Sequence, residues 1–402
     1  MLEHVLRSRL RAARWRRRAV AAGTLAALAF GAAMPPTALA VPRPATQTAA
    51  TTVVTIGANG AFWATQQLSQ TQWSPAVQVS PAGLAPAGAP VSVLRWPDGS
   101  LDVQTVGHNG AVLDLRWQDG GWLAIRPVSP PQLAPPGGEL TVTGSGSRAY
   151  LYLIGTTGRM LVLQLDPNLP LPPEDPLPIS AVGLFSPGAP LGASTAPDGS
   201  TLVASITTSR AVIAIRCPVP SPMFCGSPGA WRQYEVPGTR PAGGILGSTP
   251  VVGGGVATTS SGTDANVVYV GGDGTPRVAP LPPSGVLSNP RPIPSPPAPP
   301  AAGLSAATLN GQVAIAYAGT DGAVHALRRT GTSWGSVRLT ATGVVAPGSH
   351  IGTIWNGGGY QVVIIVVVII IWWWPLPVPP PDPIGPVAVP GQFIEAGGVA
   401  MF

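Results

Sequence analysis

One stretch of sequence occurs twice in this chain. Gly107-His-Asn-Gly-Ala-Val-Leu-Asp-Leu-Arg-Trp-Gln-Asp-Gly-Gly-Trp122 returns as Gly319-Thr-Asp-Gly-Ala-Val-His-Ala-Leu-Arg-Arg-Thr-Gly-Thr-Ser-Trp334, with Gly and Trp fifteen positions apart in both. Repetition constrains the fold strongly, because a unit too small to bury its own apolar face must stack on copies of itself. Around the first copy the chain reads as four short strands: Pro90 to Trp96, Leu101 to Val106, Ala111 to Trp117 and Trp122 to Val128. The turns between them hold Asp-Gly, Asn-Gly and Gly-Gly, which tolerate the backbone angles of tight hairpins. Four antiparallel strands in succession make a propeller blade.

The central turn recurs at Gly57-Ala-Asn-Gly60, Gly107 to Gly110, Gly155-Thr-Thr-Gly158, the degenerate Thr207-Thr-Ser-Arg210, Gly271-Gly-Asp-Gly274 and Gly319 to Gly322, spaced by 50, 48, 52, 64 and 48 residues. The longest interval contains Cys217-Pro-Val-Pro-Ser-Pro-Met-Phe-Cys225, which reads as an insertion in the fourth unit. The proline-rich stretch Pro280 to Pro300 falls inside an interval of normal length, so it replaces strand residues. Fifty prolines and 51 glycines exclude helical repeats of similar period. The expected fold is all-β, a propeller of about six four-stranded blades, or seven if Tyr360 begins a further strand. Thr52 to Ile56 enters as a second strand, and His350 to Trp355 reads as its missing first strand, so that both termini complete one blade and close the ring.

Residues 1–40 read as an export signal: seven arginines between Arg7 and Arg18, an apolar run from Ala19 to Ala33, and Ala38-Leu39-Ala40 as the cleavage site. Residues 41–51 then form a linker, 52–374 the propeller and 375–402 a proline-rich tail. Without the signal the 22 basic and 16 acidic residues reduce to fifteen of each. A neutral domain offers no basic stripe for nucleic acid. In an exported chain Cys217 and Cys225 most simply form a disulfide. Val362 to Ile371 followed by Trp372-Trp373-Trp374 is an apolar run of thirteen, short of the roughly 20 residues that span a bilayer. Its plain reading is a strand buried on both faces, and a membrane partner is not expected once the signal is removed.

Leu101-Asp-Val-Gln-Thr-Val-Gly-His-Asn-Gly-Ala-Val and Val313-Ala-Ile-Ala-Tyr-Ala-Gly-Thr-Asp-Gly-Ala-Val-His resemble the repeat of secreted lectin propellers, the fucose-binding and PLL-like group. The resemblance covers residues 50 to 360. It implies a six- or seven-bladed ring with sugar pockets between neighbouring blades, each pairing an aromatic platform with Arg, Glu or other polar groups.

Trp122, Trp231 and Trp334 open the last strand of their units, with Trp73 one position off register; Trp96 and Trp117 are further platform candidates. An indole stacks on the apolar face of a pyranose, and the competing reading is packing between blades. Asn59, Asn109 and Asp321 share one turn position, where Asx side chains satisfy turn geometry. His108, His325 and His350 have no metal-ligand spacing, so no metal or cofactor is expected. Five glutamates, with no Gly-x-Ser-x-Gly or His-Glu-x-x-His motif, give little basis for a hydrolase. The expectation is an exported or cell-envelope, non-catalytic, lectin-like propeller whose partners are glycans or cell-surface ligands. A structural or protein-interaction propeller of the envelope is the alternative.

Overall fold

The computed structural model describes residues 52–66, 74–145, 148–165, 175–196, 198–219, 222–225, 230–240, 249–261, 264–282, 285–309, 312–331, 333–343, 347–348 and 399–401. Among them there is no α-helix, and the strands form six sheets. The first blade contains β1 (Thr52–Ile56), β2 (Phe62–Gln66) and β3 (Val77–Gln78); the second β4 (Ser92–Arg95), β5 (Leu101–Val106), β6 (Val112–Gln118), β7 (Gly121–Trp122) and β8 (Arg126–Pro127). The third holds β9 (Leu140–Ser145), β10 (Arg148–Ile154), β11 (Met160–Leu165) and β12 (Leu177–Pro178); the fourth β13 (Leu191–Thr195), β14 (Thr201–Ile206), β15 (Val212–Cys217) and β16 (Arg232–Glu235). The fifth is β17 (Val256–Ser261), β18 (Asp264–Val270), β19 (Pro276–Leu281) and β20 (Arg291–Pro292), and the sixth β21 (Ser305–Leu309), β22 (Gln312–Ala318), β23 (Val324–Thr330) and β24 (Ser333–Arg338).

Closure of the ring by both termini holds, but through a different strand. β25 (Val399–Met401), from the segment read as a tail, pairs antiparallel with β1, Val54 opposite Ala400. The candidates His350 to Trp355 and Val362 to Trp374 lie outside the described residues. Six blades are therefore counted, with the first completed across the chain ends.

Successive first strands β4, β9, β13, β17 and β21 neighbour one another, which places them innermost. Their contacts are partly polar: Thr143 bonds Thr195, and Ser194 bonds Ser260, across blade boundaries. Second strands are covered by a sheet on each face, so β5 and β14 are buried at every residue. Their continuous apolar runs follow from that double cover rather than from one-sided alternation. The core is divided into interblade clusters, such as Leu202, Ala204 and Ala214 against Val267, Tyr269 and Ala279.

The central turns fasten the blades to one another in sequence. Asn59 and Gly60 carbonyls accept from Gly83 and Leu84 in the following loop, and the Leu84 carbonyl accepts from His108 in the next turn. The same relay runs through Leu133 to Thr156 and Leu184 to Thr208, and through Thr249 to Gly272 and Pro297 to Thr320. At Gly158, φ is 67° and an added Cβ would lie 2.4 Å from the Phe185 carbonyl oxygen, so glycine is required twice over. In the fourth blade Arg210 adopts φ 65° at the same position.

A second device repeats from blade to blade. The amides of Phe62, Val112, Met160, Val212 and Val324 donate to the hydroxyls of Ser80, Ser129, Ser180, Thr239 and Thr340. In the fifth blade the amide position is Pro276 and the hydroxyl position Pro294. Proline has no N–H to donate, so donor and acceptor are lost together and no polar group is stranded.

Candidate functional site

The six candidate tryptophans divide by burial. Trp96 is 4% exposed, packed between the second and third blades with its Nε1 donating to Asp102 Oδ2 at 2.7 Å; Trp231 is 6% exposed, packed between the third and fourth. Both are core residues, and neither presents a ring face to a ligand. Trp73 lies outside the described residues. Trp117 and Trp122 stand opposite each other in β6 and β7, half-buried against the first blade. Trp334 is half-buried in β24, opposite Arg329 of β23 and packed on the cluster of Val278, Ile293 and Leu327.

Beside Trp334 a groove of about 320 Å³ opens between the fifth and sixth blades. The fifth blade supplies Asn266, Val278, Pro280 and Arg291, and the sixth supplies Arg329 and Trp334. Cross-strand pairing puts Asn266 opposite Pro280 and Val278 opposite Arg291, so that these four share one sheet face. Asn266 is buried and donates to Thr259 at 3.3 Å, while Arg291 is exposed. The Arg329 Nε donates to the Gly331 carbonyl at 3.0 Å, which fixes the root of its guanidinium. The volume and the mix of one aromatic, several apolar and a few polar groups suit a monosaccharide-sized ligand.

The repeat gives this groove an internal comparison. Counted from the central turns, Asn266, Val278 and Pro280 correspond to Asp102, Asp114 and Arg116 in the second blade, and Arg291 stands opposite Val278 as Arg126 stands opposite Asp114. There Arg126 Nε donates to Asp114 Oδ2 at 2.7 Å, Gln104 donates to Asp114 Oδ1 at 2.9 Å, and Arg116 donates to Ser100 at 2.8 Å. Burial, reinforced by the Asp114 charge, raises the Asp102 pKa to about 6 despite Trp96, Arg116 and Arg126; burial likewise raises Asp114. The corresponding fourth-blade positions are Leu202 and Ala214 and the sixth-blade ones Ala314 and Ala326. The second blade has thus replaced core apolar positions with a buried charged cluster. The carboxylate side chains of Asp102 and Asp114 are 2% and 1% exposed, so this acidic pair is closed to a substrate.

Two further arrangements belong to the turn face. His325, 2% exposed and stacked on Tyr317, places Nε2 3.1 Å from Asp321 Oδ1. Trp63 Nε1 donates to Asn59 at 3.1 Å from the equivalent position, so these contacts brace turns and need no chemistry. Cys217 and Cys225 are disulfide-bonded, closing the excursion between β15 and β16. Among the described residues no group of three or more His, Cys, Asp or Glu is placed to hold a metal ion.

Arg291 was missed in the sequence because it sits in the proline-rich stretch Pro280 to Pro300, which reads only as a replacement of strand residues. The dipeptide Arg126-Pro127, repeated as Arg291-Pro292 at 19 and 20 residues after the central turn glycine, was the available signal.

Six sheets in sequence, five of four strands and one of five, define a six-bladed β-propeller. A lectin from Burkholderia pseudomallei, BP39L, shares the fold with a TM-score of 0.66 at 23% identity, over 79% of this chain and 88% of that one. AofleA from Arthrobotrys oligospora matches with a TM-score of 0.51 at 14% identity, over 72% and 81% of the two chains. A fungal lectin from Aleuria aurantia, described as a six-bladed β-propeller with a novel mode of fucose recognition, matches with a TM-score of 0.44 at 14% identity, over 71% and 90%. No protein-family model and no curated protein sequence matches this chain.

Proposed function

We propose that this chain is an exported, non-catalytic glycan-binding propeller whose principal site is the groove between the fifth and sixth blades. The observation that carries this reading is the convergence of the Trp334 ring with Arg291, Arg329 and Asn266 around one cavity of sugar size. Indole stacks on the apolar face of a pyranose, and guanidinium and amide groups bond its hydroxyls. The fold shared with lectin propellers supports the same class of ligand, and the Cys217–Cys225 disulfide supports passage through an oxidising compartment. Residues 1–40 act as the export signal, and Trp117 with Trp122 form a second, weaker aromatic site at the edge of the second blade.

A glycan array probed with the signal-free chain tests this, repeated with Trp334→Ala. Loss of about 2 kcal/mol on removing a central aromatic anchor corresponds to roughly thirtyfold weaker binding. No saccharide signal at high protein concentration, or an unchanged signal in the variant, contradicts the assignment.

A further inference from the structure

The two arginine-proline positions have opposite electrostatic settings. Arg126 is held by the buried carboxylates of Asp114 at 2.7 Å and Asp102 at 3.8 Å. Arg291 occupies the same place in its blade, but the positions of those carboxylates carry Val278 and Asn266. Among the described residues no carboxylate lies within ion-pairing distance of Arg291, and none lines the groove that it shares with Arg329. The groove is therefore built as the second blade is, with its internal anions left out.

We propose that the ligand of the fifth–sixth groove is an anionic saccharide, one carrying a carboxylate or sulfate that takes the place held by Asp114 and Asp102 in the second blade. This rests on the glycan-binding reading above. A planar guanidinium matches the paired oxygens of either group, and such charge-assisted bonds are roughly twice as strong as neutral ones. Val278 and Pro280 beneath Arg291 limit competing water, and Trp334 supplies the surface for the ring that bears the anion. Asn266 discriminates little by charge, since its amide can donate to a hydroxyl or to an anionic oxygen.

The test is calorimetric titration of the protein with uronic-acid and sulfated oligosaccharides, each beside its neutral methyl-ester or desulfated counterpart. Replacing a neutral hydrogen bond with a charged one corresponds to a preference of about tenfold for the anion. That preference should shrink as NaCl rises from 50 to 500 mM. It should vanish in Arg291→Gln and persist in part in Arg291→Lys; the exposed position leaves the fold intact. Whether uronate or sulfate binds better identifies the anion, and either result supports the inference. Equal binding of neutral and anionic partners, or a preference that survives Arg291→Gln, overturns it while leaving a lectin in place. Absence of binding to every saccharide overturns the glycan-binding reading as well.

Discussion

Replacing Arg126 with Gln tests how the buried charges of the second blade are balanced. The guanidinium makes a 2.7 Å bond to Asp114 and sits 3.8 Å from Asp102, and Arg116, 3.7 Å from Asp102, cannot replace both contacts. Leaving buried carboxylates undercompensated costs about 3 kcal/mol. At about 2.1 cal/mol/K per residue, a domain of roughly 350 residues loses about 4 °C of melting temperature for that change. Because the Asp102 pKa lies at about 6, the loss should shrink at pH 5, where that carboxyl is mostly neutral. The combined variant Asp102→Leu, Gln104→Ala and Asp114→Ala writes in the residues that the fourth blade carries at those positions. It takes away both carboxylates but strands the buried Trp96 N–H and the Arg126 guanidinium, so it too should melt about 4 °C below the parent. Scanning calorimetry at pH 5 and pH 7 reads all of these. A neutral Arg126→Gln at pH 7, or an equal loss at both pH values, refutes the electrostatic reasoning.

Four other outcomes follow from the same structure. Gly158→Ala places a Cβ 2.4 Å from the Phe185 carbonyl in a left-handed backbone, and should cost about 3 kcal/mol by urea unfolding, whereas Arg210→Gly should be neutral or stabilising by up to about 1 kcal/mol. A cost below about 1 kcal/mol for the alanine would show that the turn relay does not bear on stability. The parent should gain melting temperature as pH falls from 7 to about 4.5. Asp102 binds its proton more tightly folded than unfolded, so its contribution is fully present below about pH 4 and is lost as pH rises through about 6. Asp98 and Asp321, lowered chiefly by hydrogen bonds from Ser100 and with His325, reverse the trend at lower pH, because their contributions are lost as pH falls through their folded values; a steady decline from pH 7 would contradict this. Changing both Cys217 and Cys225 to Ser should cost about 2–3 kcal/mol, read by chemical denaturation, since the bond closes a short loop.

The propeller was legible because its turns are chemically specific. Gly60, Gly110, Gly158, Gly274 and Gly322 all take positive φ in the turns read from sequence, and the apolar runs beside them became paired strands. The closing strand was not legible. Val399–Met401 is three residues long, follows a proline-rich segment that ends at Pro390 and has no turn linking it to β1, so only the distant pairing reveals it. Tryptophans were a weaker guide than repetition suggested. Trp96 is fixed by Asp102, a partner in another strand, and nothing local separates its environment from that of Trp334. Arg291 acquires meaning only from what its blade lacks at two other positions, which requires the strand register to be known.

A crystal structure of the protein with the best-binding saccharide tests the central claim most directly. The account places a pyranose between β20 and β24, its apolar face against the Trp334 indole and an oxygen within about 3 Å of the Arg291 guanidinium. Saccharide bound elsewhere on the ring, with the fifth–sixth groove holding only water, would contradict it.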